Sequence, residues 1–403
     1  MQRTPMIFLF VVLAVLGLIH GYVGLRIIPT LGLSTPWIVA LWLLIVVLAL
    51  FSITGPVLRF NGIENRFTDL MSWIGYTSLG FFVMTLIVIV ARDLGWGVWF
   101  SGSKIASWLQ GMAGREVAAI NDPSRRQFVI TAMNLGLISL TGGFTAYGFF
   151  QARRKPDVIE VDVPIENLPD QLEGLRIVQI SDIHVGPTIK RDFVRQITDQ
   201  VNDLKPDLIA LTGDLVDGSV SYLSNDVAPL ADLQAPIGKF FITGNHEYYS
   251  GVEHWLQETE RIGFTNLVNE HRLININGAT LTVAGVTDLE AGRMQPDHKT
   301  DPAKALAGAP ADSIKILLAH QPASIYNASK LGFDLQLSGH THGGQFKPFH
   351  LAVKQAHPYI AGLHNHDGTW IYVNVGTGYW GPPLRIGIPN EITVLRLTRA
   401  KKN

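Results

Sequence analysis

Four long apolar runs fall within the first 150 residues, and they constrain this chain more than any other feature. A helix needs about 20 mostly apolar residues to cross the hydrocarbon of a bilayer. Met6 to Ile28 meets that length, interrupted only by His20 and Arg26. Trp37 to Ile53 follows, with Pro36 at its start, where proline suits a first helical turn. Met71 to Ala91 and Val129 to Phe150 complete the set. Charged residues gather mainly in the breaks, so the runs read as membrane spans rather than buried core helices. The predicted helices are about 6–28, 36–54, 71–91 and 129–150. Gly17, Gly21 and Gly24 offer a surface on which a second helix could pack closely. Trp96 to Met112 is rich in tryptophan, which suits a helix lying at the interface. A fifth span there would reverse the topology.

Composition supports a membrane portion. Only 16% of the 403 residues are charged, and the mean hydropathy is +0.22. A formal net charge of -1 provides no basic field for nucleic acid, and none is expected as a partner. There is no cysteine, which excludes disulfides and thiolate chemistry, so any metal must be held by oxygen and imidazole. Of the 13 histidines, only His20 precedes residue 151. The titratable chemistry therefore belongs to the second part of the chain.

Four spans put both termini on one face of the membrane. Arginine and lysine near the span ends, Arg3 and Arg115 among them, tie at six on each side. One local feature breaks the tie. Ser124-Arg125-Arg126-Gln127-Phe128-Val129, just before the fourth run, resembles the twin-arginine export signal. On that reading Arg125 and Arg126 are cytoplasmic and everything after Phe150 is extracytoplasmic, in a multi-pass protein of the cell (inner) membrane. If the arginines are an ordinary pair flanking a helix, a cytoplasmic placement stays open.

Residues 1–150 form the predicted membrane domain, 151–157 a basic linker ending in Lys155-Pro156-Asp157, and 158–403 a second domain. Short β runs alternate there with helical segments. Leu175 to Ile180, Asp207 to Leu211 and Ile237 to Ile242 read as buried strands. Helices are expected over Thr188 to Leu204 and Val252 to Ile262. The alternation alone suggests a doubly wound fold. The later meander with less helix, from Arg272 to Leu397, argues for two packed sheets with helices outside.

Five times an apolar strand runs into metal-type ligands. The five stretches are Asp182-Ile183-His184, Asp214-Leu215-Val216-Asp217, Asn245-His246-Glu247, His320, and Ser338-Gly339-His340-Thr341-His342-Gly343-Gly344. Singly, each has an ordinary explanation: Asp182 and Asp214 as caps or turn residues, Gly244-Asn245 as a turn, His320 as a satisfied core histidine. Together they would collect at one sheet edge, where burying several carboxylates and imidazoles without a cation is costly. His340 and His342 would share a face if the backbone there were extended. The set is too large for one tetrahedral zinc with an open position. It suits two metals roughly 3.5–4 Å apart that share a carboxylate.

The ordered blocks Asp-x-His, Gly-Asp-x-x-Asp, Gly-Asn-His-Glu, His and Gly-His-x-His resemble the calcineurin-like metallophosphoesterase superfamily. Asn374-Val375-Gly376-Thr377-Gly378 through Pro389-Asn390-Glu391-Ile392 is similar to its membrane-associated bacterial branch, which includes hydrolases of UDP-diacylglucosamine. The resemblance spans roughly residues 158–398 and implies an α/β domain folded as a four-layer αββα sandwich. It implies that Asp182, His184 and His342 hold one divalent metal and Asn245, His320 and His340 the other, with Asp214 bridging. The metals would be Mn, Fe, Zn or Ni. His246 would be catalytic at the substrate phosphate, with a metal-bound hydroxide as nucleophile, while Asp217 and Glu247 orient ligands. Arg385 is a candidate phosphate-binding residue, because arginine suits bidentate phosphate contacts. His350, His357, His364 and His366 read as an exposed loop.

The chain is therefore expected to be a membrane-anchored binuclear phosphoesterase, acting on a phosphomonoester, phosphodiester or pyrophosphate. A phosphorylated small molecule or lipid-linked substrate is the expected partner. The alternative is a membrane receptor or transporter regulated by a metal-binding soluble domain, a reading that intramembrane charge would favour.

Overall fold

The computed structural model describes residues 6–112 and 123–400. Arg3 and Arg115 therefore lie outside the described residues. The chain divides into two compact units, one of Met1–Pro56 with Met71–Tyr147, the other of Val57–Leu70 with Gly148–Asn403.

The first unit is built from helices α1 (Met6–Ile27), α2 (Thr35–Phe60), α3 (Arg66–Met112) and α4 (Pro123–Arg153), of which α2, α3 and α4 continue into the second. All four are long and apolar enough to cross a membrane. The interfacial helix expected over 96–112 is not separate. It continues α3, which runs unbroken for 47 residues, about 70 Å at the α-helical rise. No proline falls between Arg66 and Met112, so nothing removes a backbone donor and forces a break.

Within this unit, close approach depends on a few small residues. A Cβ at Gly75 would overlap the Phe51 carbonyl, and the Ser52 hydroxyl donates to the Gly75 carbonyl at 3.0 Å. Gly24 packs on the Trp42 ring, whereas Gly17 and Gly21 have nothing within 4 Å, so the expected three-glycine surface reduces to one position. The charged groups Arg26, Arg92 and Asp93 are paired. Arg26 bridges to Asp93 at 2.7 Å, Arg92 donates to Asn134, and Asn134 donates to the Arg26 carbonyl at 3.2 Å.

The second unit is a sandwich of two mixed six-stranded sheets. The strands are β1 (Asp157–Ile165), β2 (Arg176–Ile180), β3 (Leu208–Leu211), β4 (Gly238–Phe241), β5 (Thr265–Asn266), β6 (Glu270–Ile276), β7 (Ala279–Gly285), β8 (Ile314–Leu318), β9 (Leu335–Ser338), β10 (Gly362–His366), β11 (Thr369–Val373) and β12 (Glu391–Arg399). Their orders are β1-β12-β2-β3-β4-β5 and β10-β11-β9-β8-β7-β6. The period-2 alternation of the strands decides the layers. Ile177, Leu208 and Ala210 point into the inter-sheet core with Leu281, Val283 and Ile316. Val178, Ile209 and Leu211 point outward, under Phe193, Val194, Ile197 and Val201 of helix α5 (Arg191–Asp203) and Trp255 of a later helix, Val252–Arg261. Ala284, Leu317 and Ile371 pack outward from the second sheet against Ile325, Ala328 and Phe333.

The parallel strands β2, β3 and β4 of one sheet and β7, β8, β9 and β11 of the other carry the loops that form the site. Gln179, fully buried between the sheets, donates to the Thr212 hydroxyl and the Ser338 carbonyl, both at 2.9 Å. It ties three of those strand ends together beneath the site.

Candidate metal centre

The loops leaving the strands bend abruptly. Asp182, His184, Asp214, His340 and His342 all have left-handed backbone, with φ of 51°, 55°, 51°, 71° and 49°. A non-glycine residue there costs of order 1–3 kcal/mol, so five together represent considerable stored strain. The His340-x-His342 pair therefore does not converge through extended backbone. Left-handed kinks turn each ring, and the two enter different clusters.

Backbone donors and close packing hold the bends. The His340 N–H donates to both Asp182 oxygens, at 3.0 and 2.9 Å, and the His246 N–H donates to Asp214 Oδ1 at 2.9 Å. Buried Glu247 accepts from the N–H groups of Gly244, Asp214 and Leu215 at 2.6, 3.0 and 2.8 Å. Glycine is required at 244 and 339, where a Cβ would overlap the carboxylates of Asp214 and Asp182.

Asp182, His184 and His342 form one group of donors and Asp214, His320 and His340 another, each with its ligand atoms within 4.8 Å of one another; His184, Asp217 and His246 form a third that shares His184 with the first. Asp214 Oδ2 lies 3.1 Å from His320 Nε2 and 3.9 Å from His184 Nε2, within reach of both. His184 Nε2 faces His342 Nε2 at 3.0 Å, and His320 Nε2 faces His340 Nδ1 at 3.2 Å. Asn245 Oδ1 is buried with no hydrogen-bond partner, an orphan acceptor that a cation would satisfy.

The second ring nitrogens of His320 and His184 fit the same purpose. His320 Nδ1 donates to the Thr212 carbonyl at 2.8 Å, and His184 Nδ1 lies 3.2 Å from Asp217 Oδ1. Bonds of this kind on the far side of an imidazole leave the other nitrogen free for a metal. The donor set contains oxygen and imidazole nitrogen but no sulfur, which suits divalent first-row cations.

The electrostatics are polarised. Burial, with the neighbouring His320, drives His340 down to about 3, and burial with His184 holds His342 well below its ordinary range. Both are therefore neutral, the form that ligates. Burial opposes the charge on Asp214, yet His320 and His246 hold its carboxyl well below the usual range. Burial also works against the charged form of His246, but Asp214 and Asp217 outweigh it and push that imidazole up to about 9.

His246 stands beside the first two groups rather than inside either. Its Nδ1 lies 2.5 Å from Asp217 Oδ1, and its Nε2 lies 3.9 Å from Asp214 Oδ2. Its ring meets Tyr249 at 5.4 Å and Trp380 at 5.8 Å between centroids. Both aromatics are about half exposed, at 49% and 54%. One carboxylate, Asp217, thus serves two imidazoles from different strand ends.

Arg385 takes no place on the open face. It is fully buried, and its guanidinium donates to the carbonyls of His342 at 3.0 Å and Gly378 at 2.5 Å, and lies 3.1 Å from His342 Nδ1. It secures the backbone behind His342 rather than offering itself to a phosphate. The expected histidine loop is also partly regular. His350 opens a helix, His350–Ala356, and His364 and His366 lie on the edge strand β10, whose Gly-Leu-His-Asn-His shows no apolar alternation. His357 packs its ring 5.2 Å from His340.

Three residues escaped the sequence reading. Buried Asp288, just after β7, accepts from Gln321 Nε2 at 2.9 Å beside His320. Its only signal was a strand ending in an acid, weaker than the Asp-x-His and Gly-Asp blocks. Tyr249 and Trp380 gave none, since isolated aromatics are common and only folding brings them to His246.

Residues 175–344 match the profile of the Calcineurin-like phosphoesterase family. The chain belongs to that family: it is a metallophosphoesterase, a hydrolase of phosphoester bonds, anchored by a multi-pass membrane region. A "Transmembrane protein with metallophosphoesterase domain" from Danio rerio is 34% identical over 367 residues, covering 89% of this chain and 81% of the relative. A metallophosphoesterase of Campylobacter jejuni is 30% identical over 402 residues, covering 98% and 99%. Among solved structures, the NAD nucleotidase of Haemophilus influenzae superposes with a TM-score of 0.37 at 16% identity, covering 52% of this chain and 46% of that one. The family implies a binuclear metal site, and the two donor groups fit one.

Proposed function

We propose that the protein hydrolyses a phosphoester or pyrophosphate bond in an amphiphilic substrate, lipid-linked or carrying a nucleotide, at the membrane surface. The observation that carries this reading is the half-exposed pair Tyr249 and Trp380, both packed edge-on against His246. Large apolar faces beside a charged site suit a substrate with an apolar part next to its phosphate.

Asp182, His184 and His342 would hold one divalent cation and Asn245, His320 and His340 the other, with Asp214 shared. Bound there, the pair supplies positive charge at the phosphate and acidifies water. Manganese, iron, zinc and nickel all suit the donors. His246, held by Asp217, is oriented to donate to a phosphate oxygen or protonate the leaving oxygen. In the metal-free chain Asp214 and Asp217 together favour the protonated form of that imidazole. Tyr249 and Trp380 exclude water from one side and receive the apolar portion. The twin-arginine segment supports an extracytoplasmic placement of the catalytic domain.

The test is turnover by the purified full chain in detergent, with Mn²⁺, on a membrane lipid extract and on bis-p-nitrophenyl phosphate. Release of a water-soluble phosphorylated product from the extract is expected. Turnover of bis-p-nitrophenyl phosphate with no product from any lipid fraction would overturn the amphiphilic substrate. For placement, a reporter fused after Asn403 should be active only outside the cytoplasm, and Arg125→Lys with Arg126→Lys should abolish that activity. Cytoplasmic reporter activity would reverse the assignment.

A further inference from the structure

The second unit includes a segment far from it in sequence, Val57–Leu70, which joins α2 to α3. This segment grips the loop Asp217-Gly218-Ser219. Arg59 Nη1 donates to the Asp217 carbonyl at 3.3 Å, across 158 residues. Glu64 accepts from the Ser219 N–H at 3.2 Å and from the Ser219 hydroxyl. Arg59 pairs with Glu64 at 3.2 Å and with Asp69, and Asp69 accepts from the Tyr222 hydroxyl at 2.9 Å. Lys190 reaches Asp69 at 3.1 Å.

The Arg59 and Glu64 side chains are each only 7% exposed. Ion pairs this desolvated are stiff, and losing one partner leaves an uncompensated buried charge. The same turn also touches His246 by a second route. Phe60 meets Tyr249 edge-on at 6.5 Å, and Tyr249 meets His246. Two independent chains of contact thus run from one interspan turn to the imidazole beside the metal centre. Span parity is consistent with this, since the connection after the second span and the chain after the fourth emerge on one face.

We infer that Arg59 is a positioning residue for the catalytic centre: through the Asp217 backbone it sets the carboxylate that orients both His184 and His246, so the interspan turn is part of the catalytic unit. Among the described residues, the Asp217 side chain is held only by the two imidazoles it orients. Its backbone must therefore be fixed independently for the carboxylate to impose an angle on them. Glu64 does this at Ser219 and Trp255 at the Gly218 carbonyl at 2.9 Å, while at Asp217 itself the N–H donates to the Val185 carbonyl at 2.8 Å and the carbonyl accepts from Arg59.

The full chain in detergent provides the test, with Mn²⁺ affinity by equilibrium dialysis and turnover of bis-p-nitrophenyl phosphate as separate readouts. Arg59→Ala should weaken Mn²⁺ binding and lower kcat by about 10- to 100-fold, the range for groups that orient ligands, with KM within about twofold. Lys190→Ala cuts the same charged network without touching Asp217 and should leave both readouts within about twofold. In an Asp217→Asn background, Arg59→Ala should add less than about threefold to the loss. Phe60→Ala, which preserves the ion pairs, guards against a folding artefact and should lower kcat with Mn²⁺ affinity retained. Wild-type Mn²⁺ affinity in Arg59→Ala would overturn the inference, as would equal losses in Arg59→Ala and Lys190→Ala. The affinity arm decides even where the wild-type chain turns over no tested ester.

Discussion

The membrane unit and the sandwich place their difficult residues in opposite ways. In the membrane unit, large apolar side chains such as Phe10, Leu43, Trp99 and Leu135 are exposed, and backbone strain is absent from its described non-glycine residues. In the sandwich the core is closed in three layers, and every described non-glycine residue with left-handed backbone lies there, at Asn167 or beyond. Five of them carry metal-type ligands or belong to the same blocks. Lipid tolerates apolar exposure but not unpaired backbone, so the spans stay regular. A packed aqueous domain tolerates local distortion because its core over-determines the loops. Chemistry needing kinked strand ends therefore sits in the sandwich.

The greatest loss is expected at Asp214. Asp214→Asn removes charge from the centre of both donor groups and should lower turnover of bis-p-nitrophenyl phosphate by more than about a hundredfold, beyond the loss for groups that merely orient ligands. Helix content by circular dichroism should be unchanged, because Asp214 lies in a loop outside every helix. Turnover that survives both this change and chelation would refute the two-metal reading.

Next is Arg385, buried behind His342. Arg385→Leu leaves the carbonyls of His342 and Gly378 without their donor and should cost about 1–3 kcal/mol for each in the sandwich transition, followed by thermal unfolding. A loss confined to KM, with stability intact, would instead restore Arg385 to the substrate. In the membrane unit, Gly75→Val pushes a branched side chain onto the Phe51 backbone and should cost about 1–3 kcal/mol in detergent, with Mn²⁺ affinity retained. Parallel loss of metal would show the two units to be energetically coupled.

The smallest effect concerns pH. In metal-free protein His246 is pushed up to about 9 from an ordinary 6.5. A raised imidazole binds its proton more tightly when folded, so its contribution is fully present below about 6.5 and lost as pH rises through about 9. Side-chain exposure of 15% tempers it to about 1–2 kcal/mol. Wild type should lose that much more stability than His246→Gln between pH 6.5 and 9.5. Identical slopes would mean that Asp217 does not charge His246 in solution.

Much of the architecture was legible because it depends on local periodicity. Span length is a property of one segment in one solvent, and four runs of about 20 apolar residues became four helices. The five ligand blocks were legible because parallel strands of a sheet end at one edge, so residues following Ile180, Leu211 and Ser338 must come near one another. Less was legible where the signal is an absence. Arg92-Asp93 and the glycines after it suggested a break, but Ala91 to Met112 contains no proline, and a continuous α3 resulted where an interfacial helix was expected.

By itself the sequence determined the membrane spans, the oxygen-and-imidazole ligand chemistry and its order along the strands, since each rests on residue type and short spacing. Tertiary structure alone decided the rest. It divided His340 from His342 by kinking the backbone at both, gave Asp217 to two imidazoles at once, and turned Arg385 inward. It also brought Arg59 of the interspan turn to the Asp217 carbonyl. The side-chain contacts among these join positions 29 to 158 residues apart, which no periodicity encodes.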